Sequence, residues 1–297
     1  MRQDIEFQAD GVTLRGWLYT PESGSGPFAT VVMSHGFSGV KEMDLDNYAD
    51  VFCAGGLAVL VYDNRCLGTS DGEPRHHIDP TWQRRDYRSA ITYAQSRDEV
   101  DSDRIGIWGT SYTGGTVCVV AAIDKRVKAV VSQVPFMNGH RNLQQFLPID
   151  GVKAFREMLD EDRARRVRGE PSQYMKMCSL DPNEPHVFPG EETYNYVHSF
   201  FDKVENLTWE NRVTLASIEY MLEYDASAFM DQISPTPLMM ILAANDTTTP
   251  GDIALDCYNR VAGPKELVIV NSTHYAAYTD AFADTSAAAR DWFVKHL

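Results

Sequence analysis

One serine, one aspartate and one histidine are the residues of this chain whose types and order could do chemistry together. Ser111 stands in Gly109-Thr110-Ser111-Tyr112-Thr113, between the apolar run Ile105-Gly106-Ile107-Trp108 and the small residues Gly114-Gly115-Thr116. A serine placed between a buried strand and a helix start sits on a sharp turn that aims its hydroxyl outward, and the turn demands small neighbours. Gly109 meets that demand, whereas Thr113 stands where G-x-S-x-G has its second glycine, and Gly114 and Gly115 come one and two places late. The spacing predicts a helix from Thr116 to Ile123. It also puts the Tyr112 amide at a helix N-terminus, where it can hold a developing oxyanion.

A serine hydroxyl is a weak nucleophile until a base takes its proton, so such a turn implies a histidine and an acid elsewhere. Asp246 follows the apolar run Leu238–Ala243 and His274 follows Leu267–Val270, giving the chain order serine, acid, histidine. In this reading His274 shuttles the proton and Asp246 orients the imidazole. Of the competing acids, Asp231 precedes its strand, and Asp252 lies inside a helix capped by Thr249 and opened by Pro250. A second oxyanion donor is offered by the amide of Phe37 in His35-Gly36-Phe37, after the first buried strand. The pair His76-His77 has no carboxylate or cysteine at supporting spacing and reads as a solvated loop, so neither metal nor cofactor is expected.

The elements that must position these residues follow from the patterning. Residues 5 to 20 alternate around Asp10-Gly11 as a hairpin. Ala29–Ser34, Leu57–Tyr62, the run ending at Thr110, and Val127–Ser132 read as strands buried on both faces. Helices fall between them, at about Met43–Ala54 and Thr81–Ser96, the second capped by Asp79 with Pro80 early. The alternation predicts a parallel sheet covered by helices. It stops at Pro135 and resumes at Pro235. The intervening hundred residues read as helical, with a salt-laced surface helix at Val152–Arg168 pairing Glu161 with Arg165 and Asp162 with Arg166, a second helix at Val213–Tyr224, and many aromatics. A helix at Gly251–Val261, the strand Leu267–Val270 and a helix at Ala281–Leu297 complete the chain.

Composition sets outer bounds. The 297 residues are 43% hydrophobic and 23% charged, enough for one large α/β unit with an insertion. A formal net charge of -15 argues against nucleic acid and anionic membrane as partners, because both are recognised by clustered positive charge. Five cysteines without metal-type spacing read as reduced thiols. The first residues carry no apolar signal region, and no later run is apolar for eighteen residues. The expectation is a cytoplasmic protein acting on a small molecule, with homo-oligomerisation left open.

Taken together, Ser34-His-Gly-Phe37 with Lys41-Glu42, Tyr62-Asp-Asn-Arg65, Asp79-Pro80, Gly109-Thr-Ser-Tyr112, Ser234-Pro-Thr-Pro237, the turn from Asp246 to Pro250, and His274 resemble the α/β-hydrolase superfamily. Within it the chain is similar to the microbial dienelactone-hydrolase-like and X-Pro-peptidase-like serine hydrolases that include fungal polyketide transferases. The resemblance implies an α/β-hydrolase fold: a mostly parallel eight-stranded sheet flanked by helices, with a helical cap between the sixth and seventh strands. The core is then residues 1–134 and 235–297, and the cap residues 135–234. It also implies an acyl-serine intermediate resolved by water or another acceptor. Thr113 and Cys66 depart from the family pattern, Cys66 replacing the glycine of an Asp-x-Arg-Gly loop and reading as drift in a surface turn. The expected activity is hydrolysis of an ester, lactone or thioester of a mainly apolar acyl group. Transfer of that group to an alcohol or amine is the alternative, and a non-catalytic binding module a remote one.

Overall fold

A computed structural model of the chain describes residues 1–146 and 149–297. The hairpin of β1 (Arg2–Ala9) and β2 (Val12–Tyr19) turns at Asp10-Gly11, both with positive φ, as a two-residue hairpin loop requires. β3 (Phe28–Ser34), β4 (Ala58–Tyr62), β5 (Val100–Thr110), β6 (Val127–Gln133), β9 (Leu238–Ala243) and β10 (Lys265–Val270) complete one sheet in the order β1-β2-β4-β3-β5-β6-β9-β10. β2 pairs antiparallel with β1 and β4, and every pair from β4 to β10 is parallel. All five residues of β4 and all six of β9 are buried, which explains their unbroken apolar sequence.

The helices of this core are α1 (Leu45–Ala54), α2 (Pro80–Gln95), α3 (Tyr112–Ile123), α8 (Gly251–Arg260) and α9 (Phe282–His296). Asp79 caps α2 as expected, accepting from the amides of Thr81 and Trp82 at 2.7 and 3.2 Å. α3 is apolar on all sides and buried from Tyr112 to Ala122, wedged between β5 and β6 on one side and α2 on the other. The helix therefore starts one turn before the expected Thr116. Gly114 and Gly115 are part of its first turn rather than a break before it, because a Cβ at either would lie 2.9 Å from the Gln133 carbonyl oxygen or 2.2 Å from that of Phe136. Only glycine lets the helix approach so closely.

Between β6 and β9 lie α4 (Gly139–Phe146), α5 (Ile149–Val167), α6 (Glu191–Lys203), α7 (Leu215–Glu223) and a short 3-10 helix at Ser227–Gln232. A two-stranded antiparallel ladder joins β7 (Tyr174–Met175) to β8 (Val213–Thr214). On α5, Arg166 pairs with Asp162 at 2.9 Å as the i, i+4 spacing predicts, but Arg165 turns away from Glu161 to Glu170 at 3.0 Å. Asp162 is fully buried and also accepts from the Gln173 amide and the Ser172 hydroxyl, so α5 is anchored where surface salt pairing was expected. Among the described residues no helix is long and apolar enough to cross a membrane.

Candidate active site

The site is assembled at the carboxyl ends of four parallel strands. Ser111 follows β5 with φ 54° and ψ -121°, a region that non-glycine residues sparsely populate at a cost of about 1–3 kcal/mol. The turn is held from both sides: the Ser111 amide donates to the Gln133 carbonyl at 2.9 Å, and its carbonyl accepts from Gly114 and Phe136 at 3.0 and 2.8 Å. Gly109 permits the strand-to-helix approach, since a Cβ there would meet the Thr113 carbonyl oxygen at 2.4 Å.

His274 follows β10 and Asp246 follows β9, and the fold brings both to Ser111. His274 Nε2 lies 3.1 Å from Ser111 Oγ, and His274 Nδ1 lies 2.7 Å from Asp246 Oδ2. His274 and Asp246 are buried, and Ser111 is half-buried. Asp246 Oδ1 accepts from the amides of Thr248 and Thr249 at 2.8 and 2.7 Å, which fixes the plane of the carboxylate. Asp231 instead pairs with Arg260 at 2.7 Å, and Asp252 lies in the first turn of α8.

Within the site, Thr249 does not hold the capping position expected from the sequence. Pro250, not Thr249, holds the N-cap position of α8. The Thr249 hydroxyl is turned inward, 2.9 Å from both Asp246 Oδ2 and the Val134 carbonyl and 3.1 Å from His274 Nδ1. A threonine before proline at a helix start carries the same local signal whether it caps or not. Only contact with β6 and the histidine loop distinguishes the two.

The loop after β3 carries Phe37. Gly36 lets it lie against Ser111, a Cβ at that position being 3.0 Å from Ser111 Cβ. His35 is buried, with Nδ1 2.9 Å from the Gly36 carbonyl and Nε2 accepting from the Asn64 amide at 3.1 Å, which defines a neutral tautomer. Burial pushes its pKa below the ordinary value. Asn64 Nδ2 also donates to Ser34 Oγ at 2.9 Å, and Asp63 accepts from the Lys41 amide and ammonium at 2.8 and 2.7 Å. The Tyr62-Asp-Asn-Arg65 stretch thus braces the Phe37 loop. The amides of Phe37 and Tyr112 donate to no protein acceptor among the described residues.

The two departures from the family pattern have different consequences. Thr113 donates its hydroxyl to the His35 carbonyl, joining the first turn of α3 to the Phe37 loop. Cys66 sits at φ 66°, a left-handed position that favours glycine, and is buried rather than in a surface turn. Burial raises its thiol pKa to about 11, and all five cysteines are unpaired thiols. His76 pairs with Glu210 at 3.2 Å and His77 lies 2.8 Å from Thr214 Oγ1, so the two rings have separate partners on the segment between β6 and β9.

Ser111 and His274 open into a cavity of about 80 Å³ walled by aromatic and apolar groups, among them Phe37, Trp108, Phe188, Tyr196, Trp209 and Tyr278. The segment between β6 and β9 closes it through specific bonds to the core. The Trp209 indole donates to Ser38 Oγ at 3.1 Å, the Tyr196 hydroxyl to Asp44 Oδ2 at 3.0 Å, and the Tyr275 amide to Glu192 at 3.3 Å.

Residues 10–276 match the profile of the X-Pro dipeptidyl-peptidase (S15) family. The chain is 33% identical to the polyketide transferase grgF of a Penicillium species over 270 residues, covering 91% of this chain and 87% of the relative. It is 32% identical to a thiohydrolase of Eupenicillium brefeldianum over 300 residues, covering 99% and 94%. The crystal structure of the α/β hydrolase GrgF from Penicillium sp. sh18 superposes with a TM-score of 0.83 at 29% identity, covering 100% of this chain and 99% of that one. DcsB, solved with its substrate analogue, shares the fold with a TM-score of 0.85 at 24% identity over 100% and 99% of the two chains. A profile match over most of the length, relatives of this similarity and the sheet order described above have one reading: the chain belongs to the X-Pro dipeptidyl-peptidase (S15) family of α/β hydrolases and is an enzyme of the hydrolase or acyl-transfer kind.

Proposed function

We propose that the chain is a serine hydrolase that cleaves an ester, lactone or thioester of a mainly apolar acyl group, with Ser111 as nucleophile, His274 as base and Asp246 as the orienting acid. The observation that carries this reading is the continuous relay from Ser111 Oγ through His274 to Asp246, at 3.1 and 2.7 Å, at the floor of an aromatic-walled cavity.

Each step follows from that geometry. Ser111 Oγ attacks the acyl carbon while its proton passes to His274 Nε2, and Asp246 stabilises the imidazolium. The carbonyl electrons move onto oxygen, where the amides of Phe37 and Tyr112 receive the charge, each such donor being worth about 3 kcal/mol in acyl transfer. Collapse expels the leaving group, protonated from His274, and leaves an acyl-serine. Water, deprotonated by His274, then adds to the acyl carbon, and collapse breaks the bond to Ser111 Oγ, which takes the proton back from His274 as the acid leaves.

Residues 135–234 act in this reading as a lid over the core formed by 1–134 and 235–297, and the substrate is a small molecule handled in the cytoplasm. Polyketide-transferase names among the relatives favour a second outcome for the same intermediate, capture by a metabolite alcohol or amine in place of water. Aminopeptidase action is disfavoured. The carboxylate on the cavity wall, Asp44, already accepts from Tyr196 and Asn47, and burial raises its pKa, so it is a poor anchor for a substrate ammonium.

The test is intact-mass analysis after incubation with a fluorophosphonate, for the natural chain and Ser111→Ala, followed by a panel of nitrophenyl esters. Labelling abolished by the substitution together with ester turnover supports the hydrolase. Labelling without turnover points to transfer, and absence of labelling removes the serine mechanism.

A further inference from the structure

A second, larger cavity lies beside the first. It measures about 480 Å³ and is built inside the segment between β6 and β9, with walls from α4, α5 and α7 that include Leu143, Phe155, Met158, Ile218 and Leu222. Ile218 at its base is fully buried, whereas Ala154, Pro182, Pro185 and Pro189 at its rim are exposed, so the chamber is a deep pocket that opens to solvent on one side. Small-molecule sites run to about 300–1,000 Å³; the chamber falls in that range and the cavity at Ser111 falls below it.

The two volumes share one side chain as a wall. Phe188 lines both, and its ring stands edge-on to Phe37 with centroids 5.8 Å apart, one ring away from the proposed oxyanion donor. The strap that carries it is not part of a helix or the main sheet. It is held by two backbone bonds, Val187 to the Lys176 carbonyl at 3.0 Å and Phe188 to the Met177 carbonyl at 2.8 Å. Met177 faces the front cavity and Met175 the rear chamber, so the partition consists of unbranched thioethers and one half-buried ring, side chains that repack easily.

The chemistry of the chamber walls selects the occupant. The polar residues along it are already engaged: Asn142 Nδ2 donates to the Thr248 carbonyl at 3.0 Å, Glu184 accepts from Ser179 and Lys176 at 2.6 Å each, and His186 Nδ1 lies 2.7 Å from the Glu184 carbonyl. The rest of the wall is mostly hydrocarbon and thioether, with His186 Nε2 and Asn142 Oδ1 as the side-chain polar atoms left over.

We propose that this rear chamber receives the distal end of an apolar acyl chain whose carbonyl lies at Ser111, threaded past Phe188, which thereby sets chain-length specificity. The proposal rests on the acyl-serine reading of the front cavity, but binding in the chamber needs no turnover and is tested without it. Straight-chain methyl ketones from hexanone to dodecanone, titrated calorimetrically into the intact protein, should bind about fourfold more tightly per added methylene, the gain expected from burying each one. Met158→Trp on α5 fills the chamber and should lower the dodecanone-to-hexanone affinity ratio by roughly tenfold or more, the worth of about two methylenes. Leu222→Trp fills it from α7 and should do the same, so that one variant failing to fold, as judged by circular dichroism, leaves the other to decide.

Affinity that levels off at hexanone in the natural chain, or an unchanged ratio in a folded variant, overturns the chamber. Fluorophosphonate labelling of the same samples separates the two ideas. Lost labelling with a retained climb in affinity sinks the serine mechanism and leaves the chamber standing. Retained labelling with a flat profile sinks the chamber alone.

Discussion

The Thr113 hydroxyl bonds the His35 carbonyl and so ties the first turn of α3 to the loop that presents the Phe37 amide. Both residues are buried, and the carbonyl would lose its side-chain donor without the hydroxyl. Thr113→Val keeps the shape and removes the donor. We expect a stability loss of about 1–3 kcal/mol in denaturant melts, the cost of an unsatisfied buried acceptor. On the proposed oxyanion role of the Phe37 amide we also expect a roughly tenfold fall in kcat with KM little changed, because a misplaced donor is felt in the transition state. Thr113→Ser should recover both, and a Thr113→Val enzyme with natural kcat would show that the Phe37 loop is held by other means.

The aspartate of the relay offers a sharper test. Two amides, from Thr248 and Thr249, point at Asp246 Oδ1. In Asp246→Asn the side-chain oxygen must take that place, which turns the new amide nitrogen toward His274 Nδ1. The imidazole is then forced to carry its proton on Nε2, where it cannot accept from Ser111. The expected result is a fall in kcat of roughly ten-thousand-fold with the fold intact. Thr249→Val removes only the neighbouring hydroxyl and should cost about tenfold in kcat, with Thr249→Ser restoring it. Steady-state kinetics on any ester that the natural enzyme turns over would check both, and equal effects of the two substitutions would contradict the different roles given to them.

How much of this was legible in the sequence depends on how local each signal is. The strands were readable because burial on both faces leaves an uninterrupted apolar run, as in β4 and β9. Asp79 was readable because its capping bonds reach only two and three residues ahead. Ser111, Asp246 and His274 could be matched by type and order, since each follows a strand whose carboxyl end the parallel sheet brings to one edge. The inward turn of Thr249, the bond from Thr113 to His35 and the burial of Cys66 could not be read. Each depends on a contact or packing made only when distant segments meet, and local residue preferences are the same either way. The same holds for the start of α3, where a pair of glycines reads as a break until the carbonyls of Gln133 and Phe136 are seen against it.

Acid should weaken the contribution that buried His35 makes to stability. His35 is buried and neutral, its pKa held below the ordinary value by desolvation, while the unfolded chain takes up a proton near pH 6.5. A histidine depressed in this way contributes its full stability above the unfolded value and loses it as pH falls below that, down to the folded value. The histidine contribution to stability should therefore decline as pH drops below about 6.5, opposed by the desolvated carboxylates of Glu42, Asp44, Asp46 and Asp86, whose pKa values burial raises, and His35→Asn should reduce the slope of stability against pH. His76 and His77, also lowered by burial, act in the same direction, so the slope should shrink without vanishing. Chemical denaturation at a series of pH values measures this, and a slope unaltered by His35→Asn would mean that the ring is not the group being titrated.

Glu192 provides a direct connection between the segment over the site and the histidine. It lies in the first turn of α6, and its Oε1 accepts from the Thr273 hydroxyl and from the Tyr275 amide at 3.3 Å, the two residues that flank His274. The same helix contributes Thr193, Tyr196 and Val197 to the cavity wall, so a displacement of α6 would be felt by the wall and by His274 together. Because Glu192 is exposed, its bonds should contribute little to global stability, about 1 kcal/mol or less. Glu192→Ala should accordingly leave the melting temperature almost unchanged while raising KM and lowering kcat in parallel, the pattern expected if α6 closes the cavity and His274 carries the proton as proposed. Glu192→Gln keeps an acceptor oxygen and should retain most of the activity. If Glu192→Ala changes KM alone, α6 shapes the cavity without positioning His274, and the functional link between α6 and His274 would have to be abandoned.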